Sequence, residues 1–297
     1  MNSFEQMPPQ VAKKETTHGL ESYPNIERRE VLEDAVEVFI VGKNTEIPED
    51  QGWSMRFLKK NEDVTRPENE HILRLFADFT SEMSAAGISV NRFLALVSIP
   101  HNGKIDESTE FNEEILLPNG KLLYRGSNTE GCLLQRGDVF VVSPADCLTV
   151  IAKSDKGIIA SHAGRESLFN IDNPDGPNVV KSILDILGPD TKFWTGFGIH
   201  AGEHFKHDET NSAHGERTKQ RREALQYKYG PTTHSDGNLD MHGILVDQIE
   251  AYGGERSNVT VDKTFCTFNE TDEDGIARFY SQRREGLSRN LVFVIVK

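Results

Sequence analysis

Two hydrophobic periodicities alternate along the chain. Short apolar runs of the kind that form strands stand at VEVFIVGK (36–43), VNRFLALVSI (90–99) and LVFVIV near the end. Between the first two, apolar residues recur every three or four positions from Pro67, which predicts a helix that ends at Gly87. The segments NVVKSILDILG and LDMHGILVDQIEAYG repeat the helical spacing and also end in glycine. Strands and helices therefore alternate, as in an α/β protein.

Several strands are expected to pair as hairpins. The segment EEILLPNGKLLYRG carries Asn119 and Gly120 at its tip, which is a strong hairpin signal. The runs DVFVVS, CLTVIA and GIIASH follow, and KFWTGFGIHAG and NVTVDKTFC predict further strands. Frequent hairpins among helices, with neither a repeat nor a linker, favour an α/β fold: a single domain of mixed β-sheets with flanking helices.

The polar segments set the expected domain limits. Residues 1–30 are polar and are interpreted as a loose leader, so that one catalytic domain covers residues 31–297. Residues 203–237 are rich in histidine and charge, and predict a surface excursion with one short helix at ERTKQRREALQYKY.

The charge, the apolar runs and the cysteine content exclude some classes of partner and of fold. The chain has 47 acidic and 33 basic side chains and a net charge of −14, which disfavours nucleic acid as a partner. No apolar run approaches the ~18 residues of a membrane span, so no membrane partner and a cytoplasmic location are expected. Three distant cysteines without a CxxC pair do not predict a disulfide framework.

The chemistry of greatest interest lies in SPADCLTVIAKSDKGIIASHAG (143–164). If the two apolar runs pair across a turn at Ser154 and Asp155, Cys147 and His162 lie opposite each other with Cβ atoms about 5 Å apart. A thiol and an imidazole on one face can act as a nucleophile and its base. With one more histidine they can form a three-ligand zinc site with an open position. The alternative is a buried cysteine and an ordinary turn histidine.

The order of several motifs resembles the YfiH/laccase-domain family. PADCLTVIA followed by SHAG is similar to the family's core, and CTFNETDEDGIARFYSQRREGLSR to its C-terminal element. GFGIHAG and NLDMHGILVDQIEAYGG are similar to its turn and its Leu-Asp-Leu helix, so the resemblance runs from Val36 to Lys297. Its members are described as multicopper polyphenol oxidase-like proteins and as zinc-dependent purine nucleoside phosphorylases and adenosine deaminases. The fold is thought to be shared with the cytotoxic necrotizing factor deamidases.

The resemblance implies a catalytic metal site. Its ligands would be His101 in SIPHNGKI, Cys147 and His162, holding zinc or, alternatively, copper. Arg283 or Arg284 would contact phosphate or ribose.

Two further residues are candidates for the same pocket. Asp146 would orient a ligand or shape the turn. His200, followed by His204 and His207 at spacings of four and three, would line the pocket mouth, contribute to a second metal site or lie on a solvated surface.

The departures from the family pattern affect residues expected to contact the substrate, whereas the metal ligands match the family. The family continues His-Ala-Gly with Trp-Arg-Gly, whereas this chain has Arg165, Glu166 and Ser167. An acid in place of an arginine weakens an anion contact at that position. The chain is therefore expected to be a divergent member with a different substrate.

The resemblance predicts a zinc-dependent purine nucleoside phosphorylase, an adenosine deaminase or both, with a purine nucleoside and phosphate as small-molecule partners. Three alternatives remain open: a copper-dependent polyphenol oxidase, a metal-free hydrolase or deamidase that uses Cys147 and His162, and a non-catalytic scaffold that holds a metal.

Overall fold

The chain folds around two β-sheets. The computed structural model describes residues 19–44, 52–53, 63–98, 102–107, 111–200, 215–230, 234–235, 238–282 and 288–297. In chain order the strands are β1 (Ile26–Val31), β2 (Val36–Val41), β3 (Arg92–Ser98), β4 (Ile105–Glu107), β5 (Glu113–Leu116), β6 (Leu122–Ser127), β7 (Gly131–Leu134), β8 (Asp138–Val142), β9 (Leu148–Ser154), β10 (Gly157–Ala163), β11 (Lys192–Thr195), β12 (His234–Ser235), β13 (Asn238–Leu239), β14 (Val259–Val261) and β15 (Leu291–Val296). The α-helices are α1 (Glu70–Ala85), α2 (Arg165–Leu168), α3 (Val179–Leu187), α4 (Gly215–Tyr229) and α5 (Met241–Ala251).

Both large sheets mix parallel and antiparallel pairs. The seven-stranded sheet has the order β1-β2-β15-β8-β3-β6-β5, in which β3 is parallel to β8 and β6. The six-stranded sheet has the order β14-β11-β9-β10-β7-β4, with antiparallel pairs at its centre and a parallel pair at each end. The prediction of an α/β domain with mixed sheets and flanking helices is therefore confirmed.

The sheets stack face to face with a helical layer outside each. Along β2, Val38 and Ile40 contribute to the cluster that also holds Ile151 and Trp194 of the other sheet, whereas Phe39 faces α1. Successive strand residues point to opposite faces, so a run buried on both sides can be apolar throughout. On the outer side of the six-stranded sheet, α3 and α5 pack over β9 and β10.

The helix predictions and the predicted hairpin at Asn119 and Gly120 are confirmed by the structure. The helices expected around residues 70, 180, 220 and 245 correspond to α1, α3, α4 and α5. At the tip between β5 and β6, Gly120 has a φ of 77° and its N–H donates to the Leu117 carbonyl at 2.9 Å. That left-handed conformation favours glycine.

Two predicted boundaries need correction. The leader prediction for residues 1–30 is wrong from Ile26 onward, because Ile26–Val31 is β1 and pairs along its whole length with β2. Residues 1–18 lie outside the described residues. The excursion at 203–237 is not wholly superficial, since Arg221 and Leu225 of α4 are buried. Residues 201–214, 231–233 and 236–237 are likewise outside the described part.

In the ranges that the structure describes, no helix combines the length and apolarity that a membrane crossing requires.

Candidate active site

The β9–β10 hairpin carries the candidate thiol and imidazole. Ser154 pairs with Gly157 across a turn at Asp155 and Lys156, so His162 opposes Thr149. The predicted direct opposition of Cys147 and His162 is therefore wrong by two residues. A two-residue shift leaves every side chain on its original face. Cys147 is accordingly diagonal to His162, and its thiol shares a hydrogen bond with the imidazole.

Gly164 permits this close approach. A Cβ added at Gly164 would lie 2.7 Å from Cε1 of His162 and 3.2 Å from Sγ of Cys147. The first distance is shorter than real carbon contacts, so a larger residue would displace the imidazole. The glycine of the SHAG motif therefore has a steric role beside both functional side chains.

Glu130 holds the imidazole from its other side. Its Oε2 atom lies 3.1 Å from Nδ1 of His162 and accepts a hydrogen bond from Ser167 Oγ at 2.9 Å. The main-chain N–H of His162 also donates to the Glu130 carbonyl at 2.7 Å. Glu130 is fully buried, and among the described residues its Oε1 atom has no hydrogen-bond partner. The pairing leaves Nε2 as the nitrogen available to Cys147.

Sequence reasoning missed Glu130. The residue lies 32 positions from His162 and directly precedes a short strand, β7, that was not predicted either. No local motif marks it, because its role depends on pairing between β7 and β10.

The electrostatic surroundings favour a charged imidazole. Burial by itself lowers the pKa of His162, but the electrostatic interaction and hydrogen bond with Cys147, together with the Glu130 carboxylate, raise the pKa to about 9. A buried charge is stabilised in this way only when it is paired.

Asp146 anchors the turn that presents Cys147. Its Oδ1 atom accepts hydrogen bonds from Thr267 Oγ1 at 2.8 Å and from Ser281 Oγ at 2.7 Å, and all three residues are buried. The C-terminal element thus fixes the Cys147 turn, while the Asp146 carbonyl accepts the Ile199 N–H at 2.9 Å. These contacts correspond to the turn-shaping role among the alternatives for Asp146.

His200 follows directly on Ile199 and contacts a second histidine. Its Nε2 atom lies 3.2 Å from the Gly196 carbonyl oxygen, and its ring centre lies 5.0 Å from that of His242 on α5. Burial lowers the pKa of both imidazoles, and that of His242 reaches about 3. His242 was not singled out from the sequence, since one histidine in a helix gives no signal.

Glu166, at which the sequence departs from the family, has an ion-pair partner in the structure. The carboxylate of Glu166 on α2 forms an ion pair with Arg221 of α4, which is 2% exposed. The acid that replaces the family's arginine is thus neutralised by an arginine from the polar excursion. The pair ties α4 to the turn that follows His162.

Three predicted site residues, His101, Arg283 and Arg284, lie outside the described residues, and their roles stay predictions. The chain that follows His101 does reach the site. Lys104 offers its carbonyl to the Glu130 N–H at 2.8 Å and to the Thr129 hydroxyl at 3.0 Å.

The described part of the site supplies two side chains that can bind a metal ion, and a metal site would need further ligands. Within the described ranges no three His, Cys, Asp or Glu side chains are grouped so as to hold a metal. Cys147 and His162 supply a thiolate and an imidazole, which zinc and copper accept. The buried carboxylate on Nδ1 of His162 is the partner that metal-bound histidines commonly have. The donor chemistry therefore fits zinc or copper.

The comparisons with known proteins identify the family of the chain. The family model described as multi-copper polyphenol oxidoreductase laccase matches residues 66–297. The chain belongs to this family. The site lies within the matched range, as does His101. None of the curated proteins matches the chain.

Three solved structures of this family type share the fold. Neisseria meningitidis protein NMB0706 has a TM-score of 0.57 at 16% identity, covering 92% of this chain and 99% of its own. YfiH from Bacillus licheniformis has a TM-score of 0.58 at 14% identity, covering 88% and 93%. YlmD from Geobacillus stearothermophilus has a TM-score of 0.58 at 16% identity, covering 89% and 92%. At these identities the likeness shows the fold alone.

Proposed function

We propose that the protein is a zinc-dependent enzyme of the YfiH family that acts on purine nucleosides, by phosphorolysis, by deamination of adenosine or by both. Zinc would be held by His101, Cys147 and His162. The single observation that carries the proposal is the Glu130–His162–Cys147 arrangement, in which a buried carboxylate orients a buried imidazole beside a half-buried thiol.

The chain's own residues have separable tasks. Glu130 and Ser167 fix the imidazole of His162, and Asp146 fixes the turn of Cys147. Thr149, opposite His162, has a fully buried hydroxyl without a partner among the described residues, and we assign it to substrate binding. Bound zinc would act as a Lewis acid and lower the pKa of a bound water.

For phosphorolysis, a phosphate oxygen attacks C1′ of the ribose and the bond from C1′ to the purine nitrogen breaks. The purine leaves with the electron pair of that bond and takes up a proton. Arg283 or Arg284 would hold the phosphate, as an arginine fork suits its geometry.

Product analysis by liquid chromatography tests the proposal. Wild-type protein, Cys147→Ala and the matched control Cys132→Ala are incubated with adenosine and inosine, with and without phosphate. Cys132 is a buried thiol on β7 that belongs to the cluster between the two sheets. We expect turnover in the wild type and the control, and a loss of at least ~100-fold in Cys147→Ala. Cys147→Ala with full activity and unchanged metal content would refute the proposal.

A metal-free thiol enzyme is the second candidate. The same three side chains match a nucleophile, its base and an orienting acid, which is the arrangement of cysteine hydrolases. The two candidates differ in their response to a chelator. The zinc enzyme loses activity in EDTA and regains it with Zn²⁺. The thiol enzyme keeps its activity in EDTA and loses it to iodoacetamide at neutral pH.

The remaining alternatives are tested in the same series. Oxidation of a phenol by copper-loaded protein, without turnover of nucleosides, would indicate the polyphenol oxidase. Metal retention without turnover of any of these substrates would indicate the non-catalytic scaffold.

A further inference from the structure

A pair of histidines next to the Cys147 turn has no role in the proposed catalysis. The rings of His200 and His242 have centres 5.0 Å apart and planes inclined by 76°. They come from different elements, the segment after β11 and the first turn of α5. The main-chain contact between Ile199 and Asp146 places the pair beside the candidate active site.

His242 lacks the hydrogen bonds that a buried imidazole needs. It is 4% exposed, and among the described residues neither ring nitrogen has a partner. A neutral imidazole has one donor and one acceptor nitrogen, and buried polar atoms are nearly always paired. A metal ion bound to one nitrogen of His242 would supply one of these missing partners.

The hydrogen bond of His200 leaves one of its ring nitrogens available to a metal ion. Its Nε2 atom lies 3.2 Å from the Gly196 carbonyl oxygen, so Nε2–H donates there in the neutral ring. The lone pair is then on Nδ1. Metal-bound histidines commonly donate their other N–H to a backbone carbonyl in this manner.

We propose that His200 and His242 are protein ligands of a second metal site, which takes zinc or a similar divalent transition metal. Two imidazoles that share a tetrahedral zinc ion at a Zn–N distance of about 2 Å have ring centres about 5 Å apart. The observed separation of 5.0 Å matches this value. Water or substrate would occupy the remaining positions. The site shares no residue with the Cys147 site, so it does not rest on the proposed function.

Counting bound metal in matched variants tests this site. Wild-type protein and the variants His242→Gln, His200→Gln and His71→Gln are dialysed against Zn²⁺, and bound zinc per chain is determined. His71 is the matched control, because it is partly buried on α1, which packs on the other sheet. Parallel samples receive Co²⁺, whose thiolate charge-transfer band reports the Cys147 site separately.

We expect His242→Gln and His200→Gln to bind about one zinc ion fewer than the wild type while their cobalt–thiolate band is unchanged. His71→Gln should bind as much as the wild type. Equal zinc content in His242→Gln and the wild type would overturn the second site, as would equal loss in the His71 control. If His242→Gln does not fold, the zinc content of His200→Gln, at a partly exposed position, decides whether the second site exists. A wild type without the thiolate band would refute the proposed function, and the zinc count would still decide the second site.

Discussion

The carboxylate of Glu130 and the imidazole of His162 form a fully buried pair in which Oε2 and Nδ1 are 3.1 Å apart. Because Nδ1 is occupied in this way, the opposite edge of the ring is the one presented to Cys147. The thiol, the imidazole and the carboxylate thus form a series of contacts between the turn before β9, strand β10 and the residue that precedes β7. The proposed function is based on this arrangement of three side chains.

Replacing Glu130 by glutamine should weaken metal binding. A glutamine amide that donates to Nδ1 would place the ring proton on Nε2, the nitrogen required by the metal. We expect the zinc affinity of Glu130→Gln to fall by about 10–100-fold, as for other carboxylate partners of metal-bound histidines. Competition with a chromophoric chelator measures it. Ser167→Ala is the control, because it removes only the hydroxyl donor to Glu130, and its effect should be smaller. Equal affinity in Glu130→Gln and the wild type would contradict the orienting role.

Replacing Gly164 by alanine should displace His162 and Cys147. The new Cβ would lie 2.7 Å from Cε1 of His162, and overpacking of this kind costs typically 1–3 kcal/mol. We expect Gly164→Ala to reduce the free energy of unfolding by about this amount and to reduce zinc affinity as well. Urea titration and chelator competition on the same sample measure both effects. A variant with wild-type zinc affinity would show that the glycine does not hold the two side chains in place.

The β9–β10 hairpin shows how much of the structure can be predicted from the sequence. Both strands were predicted from their apolar runs, but the polar turn allows two registers that differ by two residues. Both registers bury the same faces, so hydrophobic pattern does not distinguish them. The segment 26–31, IERREV, was missed because an edge strand with charged residues lacks the apolar pattern of its neighbours. Glu130 and His242 were missed because only tertiary contacts bring them to their partners.

The ion pair of Glu166 and Arg221 should contribute to stability. Arg221 is 2% exposed, so Glu166→Gln leaves a buried charge without its carboxylate. We expect Glu166→Gln to lower the free energy of unfolding by about 2 kcal/mol, below the range for fully buried pairs because Glu166 is partly exposed. The double variant Glu166→Gln/Arg221→Met should cost less than the sum of the two single changes. Urea unfolding of all four proteins measures the coupling, and strictly additive effects would argue against the pair.

His242 should make the protein less stable in acid. Burial, followed by the nearby His200 and Lys263, lowers its pKa to about 3, whereas the unfolded chain has a histidine pKa of about 6.5. Between these values the unfolded chain binds a proton that the folded chain excludes. The free energy of unfolding therefore falls as the pH falls below about 6.5, by up to ~1.4 kcal/mol per pH unit.

The His242→Gln variant lacks this titrating group, so its stability should depend less steeply on pH. Urea unfolding in EDTA between pH 7 and pH 5 compares the two proteins without metal. Parallel pH profiles would mean that His242 does not contribute to the acid sensitivity.

X-ray absorption at the zinc edge tests the central claim, a zinc ion on Cys147 and His162, most directly. Zinc-loaded His242→Gln is measured so that the second site does not contribute, with the same protein carrying Cys147→Ala for comparison. We predict one sulfur ligand at about 2.3 Å together with nitrogen ligands at about 2.0–2.1 Å, and loss of the sulfur in Cys147→Ala. A zinc ion surrounded only by nitrogen and oxygen before the substitution would contradict it.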